Sequence, residues 1–257
     1  SDLAAIDPES DILTINWELC QADLDTIEKR QDKVTRQIRS LGKEEEKKLA
    51  PWTSAVAKIK PLLLDGKCAR TADLTDDEKA AVYDMFLLTM KPTLYVANVD
   101  EDTVANGTNQ YVEVVKKYAA EENSEVVVIC GKFEADLAEI TEEADRKDFM
   151  ESVGLEESGL AVLARKAYHL MGYRTFFTGG PDECRAWTIK NGDKAPQAAG
   201  VIHTDFEKGF IKAEAYTIDD LRQYKDEASI KAAGKYRQEG KEYVVQDGDV
   251  LFFKFNV

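Results

Sequence analysis

The stretch "PTLYVANVDE" (residues 92–101) reads as a buried strand that runs directly into a polar loop. Leu94, Tyr95, Val96 and Ala97 are apolar, and Asn98, Asp100 and Glu101 follow at once. A second run, "SEVVVICG" (124–131), is continuously apolar, the pattern of a strand buried on both faces of a parallel sheet. Between them the spacing of Val112, Val115 and Ala119 predicts a helix from about Gln110 to Glu121. Further helices are predicted from about Phe133 and from Gly159 to Leu170. Strands and helices alternating at these lengths define an α/β fold with a parallel sheet. Open α/β sheets bind ligands beyond the carboxyl ends of their strands. The loops Asn98–Glu101 and Cys130–Glu134 are therefore the candidate site.

Upstream of the first strand, two helices fold back on each other. Cys20, Leu24, Ile27, Gln31, Val34, Ile38 and Leu41 recur at spacings of four and three, and Leu49, Trp52, Val56, Ile59 and Leu63 do the same. These are the two seams of an antiparallel coiled-coil hairpin over residues 18–64, with Gly42 at its turn. Each fully buried aliphatic on the seam should contribute about 1.5–3 kcal/mol. Pro51 predicts a restart or kink in the second helix. Lys29, Arg30, Lys33, Arg36, Arg39, Lys43, Lys47 and Lys48 form an outer basic face, readable as a solvated surface or as a contact for RNA or an acidic partner. Thr75 and Glu78 have capping-box spacing and should start a helix to about Thr89, with Val82, Tyr83, Phe86 and Leu87 inward.

From about Tyr173 the texture changes to short strands with turn signals: "RTFFTGG", "CRAWTIKNG", "GFIKAEAY", "KEYVVQDGD" and "VLFFKFNV". Asn191-Gly192 and Asp247-Gly248 read as tight turns. This is a small β-rich α+β module.

Composition narrows the function. The chain has 257 residues, 44% apolar and 32% charged, with a net charge of −15. An acidic average argues against a broad electrostatic grip on nucleic acid, although a local basic patch remains compatible with it. No run of 18 apolar residues exists, and "SDLAAIDPESDI" has neither the basic nor the apolar region of a secretory signal. Cys20, Cys68, Cys130 and Cys184 are far apart with no CxxC, which suits small buried hydrophobes in a reducing, cytoplasmic setting. Only His169 and His203 are present, without HExxH or GxSxG; His169 reads as structural, and no Cys or Ser nucleophile signature surrounds His203. The acid-rich "TEEADRKDFMESVGLEES" is expected to be solvated surface without metal-ligand spacing.

Longer motifs carry a resemblance. "RAWTIKNGDKAPQAAGVIHTDFEKGFIKAEAYTIDDL" and "AAGKYRQEGKEYVVQDGDVLFFKFNV" strongly resemble the YchF / Obg-like ATPase family of translation-factor-class P-loop NTPases, in its C-terminal TGS domain. "DPESDILTINWELCQADLDTIEKR" resembles the segment where that family leaves its G domain for a helical insertion, and "EKAAVYDMFLLTMKPTLYVANVDE" the return. The resemblance implies an α/β fold: a partial P-loop NTPase G domain, an inserted α-helical coiled-coil hairpin and a β-grasp-like TGS domain. The implied divisions are 1–17 and 75–172 for the G domain, 18–74 for the insertion and 173–257 for the TGS domain. It further implies that Asn98, Val99 and Glu101, with Cys130, Gly131 and Lys132 of the second loop, contact a purine base.

The family's altered Asn-x-x-Glu stands here as Asn98-Val99-Asp100-Glu101 in place of the guanine-reading Asn-Lys-x-Asp. Guanine offers two N–H donors to a carboxylate, whereas adenine offers an acceptor ring nitrogen and an amino donor. Lengthening Asp to Glu and replacing Lys with Val breaks the guanine geometry, and mismatched polar groups can shift selectivity by up to about 10⁴–10⁵. The resemblance thus implies ATP as ligand, with GTP as a secondary one, and a ribosomal or RNA partner.

GxxxxGK[ST] and Asp-x-x-Gly are absent from these residues; Gly66-Lys67, Gly131-Lys132, Gly234-Lys235 and Gly240-Lys241 all lack the earlier glycine. In the family both motifs precede the helical insertion. The expectation is a piece of a longer protein that holds the base half of a site and does not hydrolyse ATP alone. No metal ligand is expected in this chain, with Mg²⁺ accompanying the phosphate-binding half. A sheet lacking its first strands is also expected to leave an edge and a face uncovered.

Overall fold

The computed structural model describes residues 6–180 and 183–256. The chain divides into two compact units, Ser1–Leu163 and Ala164–Val257.

In the first unit, helix α1 (Pro8–Leu41) begins ten residues before the expected start of the hairpin at residue 18, because Asp7 caps it. The Asp7 carboxylate accepts the Ser10 N–H at 3.1 Å, and Pro8 occupies a first-turn position where no N–H is needed. Helix α2 (Lys43–Leu64) follows after a single residue. That residue is Gly42, at φ +79°, a conformation few side chains tolerate. Cys20, Leu24, Ile27 and Val34 of α1 pack with Trp52, Val56, Ile59 and Leu63 of α2 as the seams require. Gln31 and Leu41, counted on the seam, are exposed. Pro51 neither restarts nor ends α2, which runs through both Pro51 and Pro61; burial of the flanking Trp52, Ala55 and Val56 outweighs the lost backbone bond.

Helix α3 (Asp76–Val82) has the reciprocal capping box of Thr75 and Glu78. It stops seven residues short of the expected end. The cause lies in α1: the buried Asp23 carboxylate accepts the N–H groups of Leu88 (2.7 Å) and Thr89 (2.8 Å) and the Thr89 hydroxyl (2.6 Å). A 3₁₀ turn, Tyr83–Met85, follows α3 and ends at Phe86 with φ +50°, and these bonds hold the chain just beyond it. Val82 and Leu87 are buried as expected, but Tyr83 and Phe86 are exposed.

Strands β1 (Leu94–Asn98) and β2 (Glu125–Ile129) pair in parallel, with Asn98 opposite Ile129. Helices α4 (Glu101–Asn106) and α5 (Gln110–Glu121) connect them. Val96 of β1 is exposed. After β2 come α6 (Gly131–Glu139), α7 (Glu143–Ser152) and α8 (Gly159–Leu170). The acid-rich segment thus forms a helix, and its Phe149 stacks on the buried Phe133 at 4.8 Å between centroids.

The second unit has strands β3 (Tyr173–Gly179), β4 (Cys184–Lys190), β5 (Phe210–Thr217), β6 (Arg237–Glu239) and β7 (Asp249–Phe255). Their order is β4-β3-β7-β5-β6, with β3 and β7 parallel and the other pairs antiparallel. This is a β-grasp arrangement. Helices α9 (Ala195–Ile202) and α10 (Thr204–Lys208) follow β4, and α11 (Ile218–Tyr224) and α12 (Glu227–Ala232) follow β5. Phe176, Ala213, Ala215 and Leu251 of the sheet pack with Ala195, Ala198 and Ala199 of α9. The run "KEYVVQDGD" is not a strand: it contributes an isolated bridge between Val244 and Lys194, while β6 lies just before it. His203 ends α9 and caps α10 through Nδ1, which accepts the Asp205 N–H at 3.2 Å. Cys20, Cys68 and Cys130 are buried as expected, but Cys184 on the outer strand β4 is exposed.

Candidate nucleotide-base site

The parallel register places the carboxyl ends of β1 and β2 side by side. The Val99 N–H continues the ladder to the Ile129 carbonyl at 2.8 Å. Asn98 then turns its side chain across to the second loop, where Oδ1 accepts the Gly131 N–H at 2.9 Å. A Cβ on Gly131 would stand 3.4 Å from that oxygen. With Oδ1 engaged, the Asn98 amide nitrogen is left as the donor for a ligand. Beside it, the Glu101 carboxylate meets the Lys132 ammonium at 2.8 Å, and this contact raises the Lys132 pKa. The two expected loops are therefore linked twice.

The remaining residues take other places. Val99 packs against Val104, Cys130 and Phe133, in an apolar cluster beneath the loops. Cys130 is buried and caps α6, its sulfur 3.5 Å from the Phe133 N–H. Asp100, between the expected contacts, caps α4 by accepting the Thr103 N–H at 2.8 Å, and bonds from Thr103 lower its pKa. A cleft of about 640 Å³ beside β1 is lined by Asn98, Val99, Asp100, Asn109 and Tyr111, among others. Its size suits a small ligand.

Sequence reasoning placed Glu134 at the end of the second loop but gave it no role. This buried side chain lies one turn into α6 and accepts the Gly159 N–H at 2.6 Å, fixing the start of α8 to the second loop. Gly159 is fitted tightly there: an added Cβ would lie 2.8 Å from the Ile129 side chain and 3.0 Å from Glu134.

An amide donor at the end of β1 (Asn98) and a carboxylate at the start of α4 (Glu101) stand near an apolar cluster in a parallel α/β unit. Such a fold and site define a nucleotide-binding protein of the P-loop class, here with a helical hairpin and a β-grasp C-terminal unit. Comparison with known proteins gives the family. A family model named YchF-GTPase_C, described as "Protein of unknown function (DUF933)", matches residues 173–256. The ribosome-binding ATPase YchF of Bacillus subtilis is 47% identical over 253 residues, covering 98% of this chain and 68% of that protein. Obg-like ATPase 1 of Gallus gallus is 38% identical over 256 residues, covering 98% of this chain and 63% of that one. The solved YchF GTPase of Schizosaccharomyces pombe superposes with a TM-score of 0.82 at 33% identity, covering 99% of this chain and 68% of that one. The chain belongs to the YchF / Obg-like ATPase family. No helix among the described residues is long and apolar enough to cross a membrane.

Proposed function

We propose that these residues supply the base-reading half of a purine-nucleotide site that prefers ATP to GTP, in a regulator that works on the ribosome. The observation that carries this reading is the double link of Asn98 to Gly131 and Glu101 to Lys132. Asn98 offers its free amide donor to a ring nitrogen, and Glu101 offers a carboxylate to the exocyclic amine. Val99, Cys130 and Gly131 give the pocket its apolar floor and close backbone approach. The ribosomal role draws on the relatives named ribosome-binding ATPase, from Bacillus subtilis and Escherichia coli O157:H7 among others. When bound, Mg²⁺ supplies charge stabilisation to the phosphates. The described loops hold only the base end, and the sequence contains no phosphate-cradling motif, so hydrolysis by these residues alone is not expected. On this reading residues 18–74 are the helical insertion and 173–257 the TGS domain.

A second reading has the hairpin and the TGS domain grip RNA or a ribosomal surface without nucleotide turnover. It draws on the hairpin's basic face: Arg30 and Lys48 are paired with acids, whereas Lys29, Lys33, Arg39, Lys43 and Lys47 have no ion pair among the described residues. Calorimetric titration with ATP and GTP separates the two. The first reading expects ATP to bind, and Asn98→Ala to weaken that binding by about tenfold, the worth of one hydrogen bond to a ligand. No ATP binding at millimolar concentration, with ribosome co-sedimentation retained, selects the second.

A further inference from the structure

A separate cavity of about 300 Å³ lies in the C-terminal unit, lined by Arg165, Tyr168, His169, Tyr173, Arg174 and Asp247, among others. None of these residues takes part in the base site. Arg174 is half-buried there. Its Nη1 donates to His169 Nδ1 at 2.8 Å and to the Tyr173 carbonyl at 3.1 Å. A guanidinium has no acceptor, so His169 Nδ1 must accept and the ring proton sits on Nε2.

Among the described residues no carboxylate pairs with Arg174, although the chain carries 49 acidic residues against 34 Lys and Arg. Asp247, the acid of the cavity, accepts the Thr175 N–H through Oδ1 at 2.7 Å and makes no ion pair with Arg174 among the described residues. The other N–H donors of the Arg174 fork are therefore left for a ligand, and a planar fork matches a phosphate. Beside it, Tyr168 is 46% exposed and meets Tyr173 edge-on at 6.0 Å, which leaves a ring face open. A phosphate fork next to an open aromatic face is the chemistry that holds one nucleotide of a single strand. The volume suits one such unit and excludes a duplex.

We propose that this cavity binds a single nucleotide unit, its base stacked on Tyr168 and its phosphate on Arg174. The unit belongs to a single-stranded RNA or to a free mononucleotide, which share this chemistry. The inference goes beyond the base-site reading and uses different residues.

The test is fluorescence anisotropy of a labelled oligouridylate on the intact chain, with unlabelled UMP and inorganic phosphate as competitors, repeated across salt concentrations. Arg174→Ala should weaken binding at least tenfold and reduce the salt slope by about one. Tyr168→Ala should weaken it roughly tenfold while leaving the salt slope intact, and Tyr168→Phe should restore it. Arg174→Lys, which keeps the charge and loses the fork, should fall between wild type and alanine. Displacement by UMP assigns a free nucleotide, and displacement by unlabelled strand alone assigns RNA. The proposal is overturned if wild type binds neither, or if Arg174→Ala and Tyr168→Ala match wild type. It is also overturned if Asn98→Ala abolishes binding and Arg174→Ala does not, because the ligand then belongs to the base loop. Should Arg174→Ala fail to fold by thermal melting, the exposed Tyr168 pair of variants decides the matter.

Discussion

The parallel pair β1–β2 and the five-stranded sheet β3–β7 differ in what completes them. The C-terminal sheet has five paired strands, with α9 against one face and a buried polar knot at Asp249. That carboxylate accepts from Arg237 (3.1 Å), Tyr243 (2.6 Å) and the Gln246 N–H (2.9 Å), all within the same unit. Among the described residues the parallel pair has two strands, fewer than an independent sheet needs, and exposes Val96. Its support is long-range and polar. Arg70 pairs with Glu122, which also accepts the Tyr95 hydroxyl, and Asn16 of α1 donates to the Tyr118 hydroxyl of α5. The site thus sits on the region whose order depends on distant parts of the chain, while the other region is self-contained.

The largest effects should come from the two buried carboxylates that anchor these regions. Asp249→Ala strips the Tyr243 hydroxyl and the Gln246 N–H of their acceptor and leaves Arg237 only Glu239 and the Tyr243 hydroxyl, and should cost about 3 kcal/mol. Asp23→Ala strands the Leu88 and Thr89 N–H groups and should cost a similar amount, about 3 kcal/mol. Hydrogen exchange resolved by peptide should show lost protection confined to residues 173–256 for the first and to the segments around α1 and Leu88 for the second. Protection lost across both units in either variant would break the contrast.

Gly159→Ala should cost about 1–3 kcal/mol, because its Cβ meets the branched Ile129 side chain. The loss should loosen the second base loop, measurable as faster exchange of the Gly131 and Lys132 amides. Stability and exchange matching wild type would show that α8 and the loop adjust independently.

Glu78 should produce an acid limb belonging to the first unit alone. The Lys58 ammonium foremost, then the Ser54 hydroxyl and the Thr75 N–H, pull its carboxyl down to about 2. A depressed carboxyl contributes stability that is complete above the ordinary carboxylate range and lost as pH falls toward 2. Glu78→Gln should therefore be less stable than wild type at neutral pH, and the difference should shrink between about pH 4.5 and pH 2. A pH-independent difference in urea midpoints would refute this.

The smallest effect is chemical. Burial pushes the Cys68 thiol up to about 12 and raises that of Cys20, so neither should react in the folded state. A thiol-specific disulfide reagent should modify Cys184 readily and the three buried thiols of the first unit only after denaturation. Early labelling of Cys20 or Cys68 would mean that the first unit opens easily.

Features governed by local pattern were legible in the sequence. Heptad spacing revealed the hairpin, alternation of apolar runs revealed the parallel pair, and Thr75 with Glu78 revealed the start of α3. Features set by partners far along the chain were not. The chain breaks at Phe86, beyond the end of α3, because Asp23, on another helix, claims the N–H groups of Leu88 and Thr89. The halting of α3 therefore carries no local signal. Asp100 was hidden for a different reason: a capping aspartate and a base-loop aspartate look alike in four letters, so α4 went unseen. Glu134 gave one usable clue, a carboxylate inside an otherwise amphipathic helix, but its partner Gly159 lies beyond α7. Asn98 and Gly131 were legible as neighbours because a parallel register forces the ends of β1 and β2 together.

The central claim is that Asn98, Val99 and Glu101 set a preference for adenine. Its most direct test is calorimetric titration of ATP and GTP into wild type and into the double variant Val99→Lys, Glu101→Asp, which rebuilds the guanine-reading pattern. The account predicts that wild type favours ATP and that the variant moves the ATP-to-GTP affinity ratio toward GTP by at least tenfold. An unchanged ratio in a folded variant would contradict it.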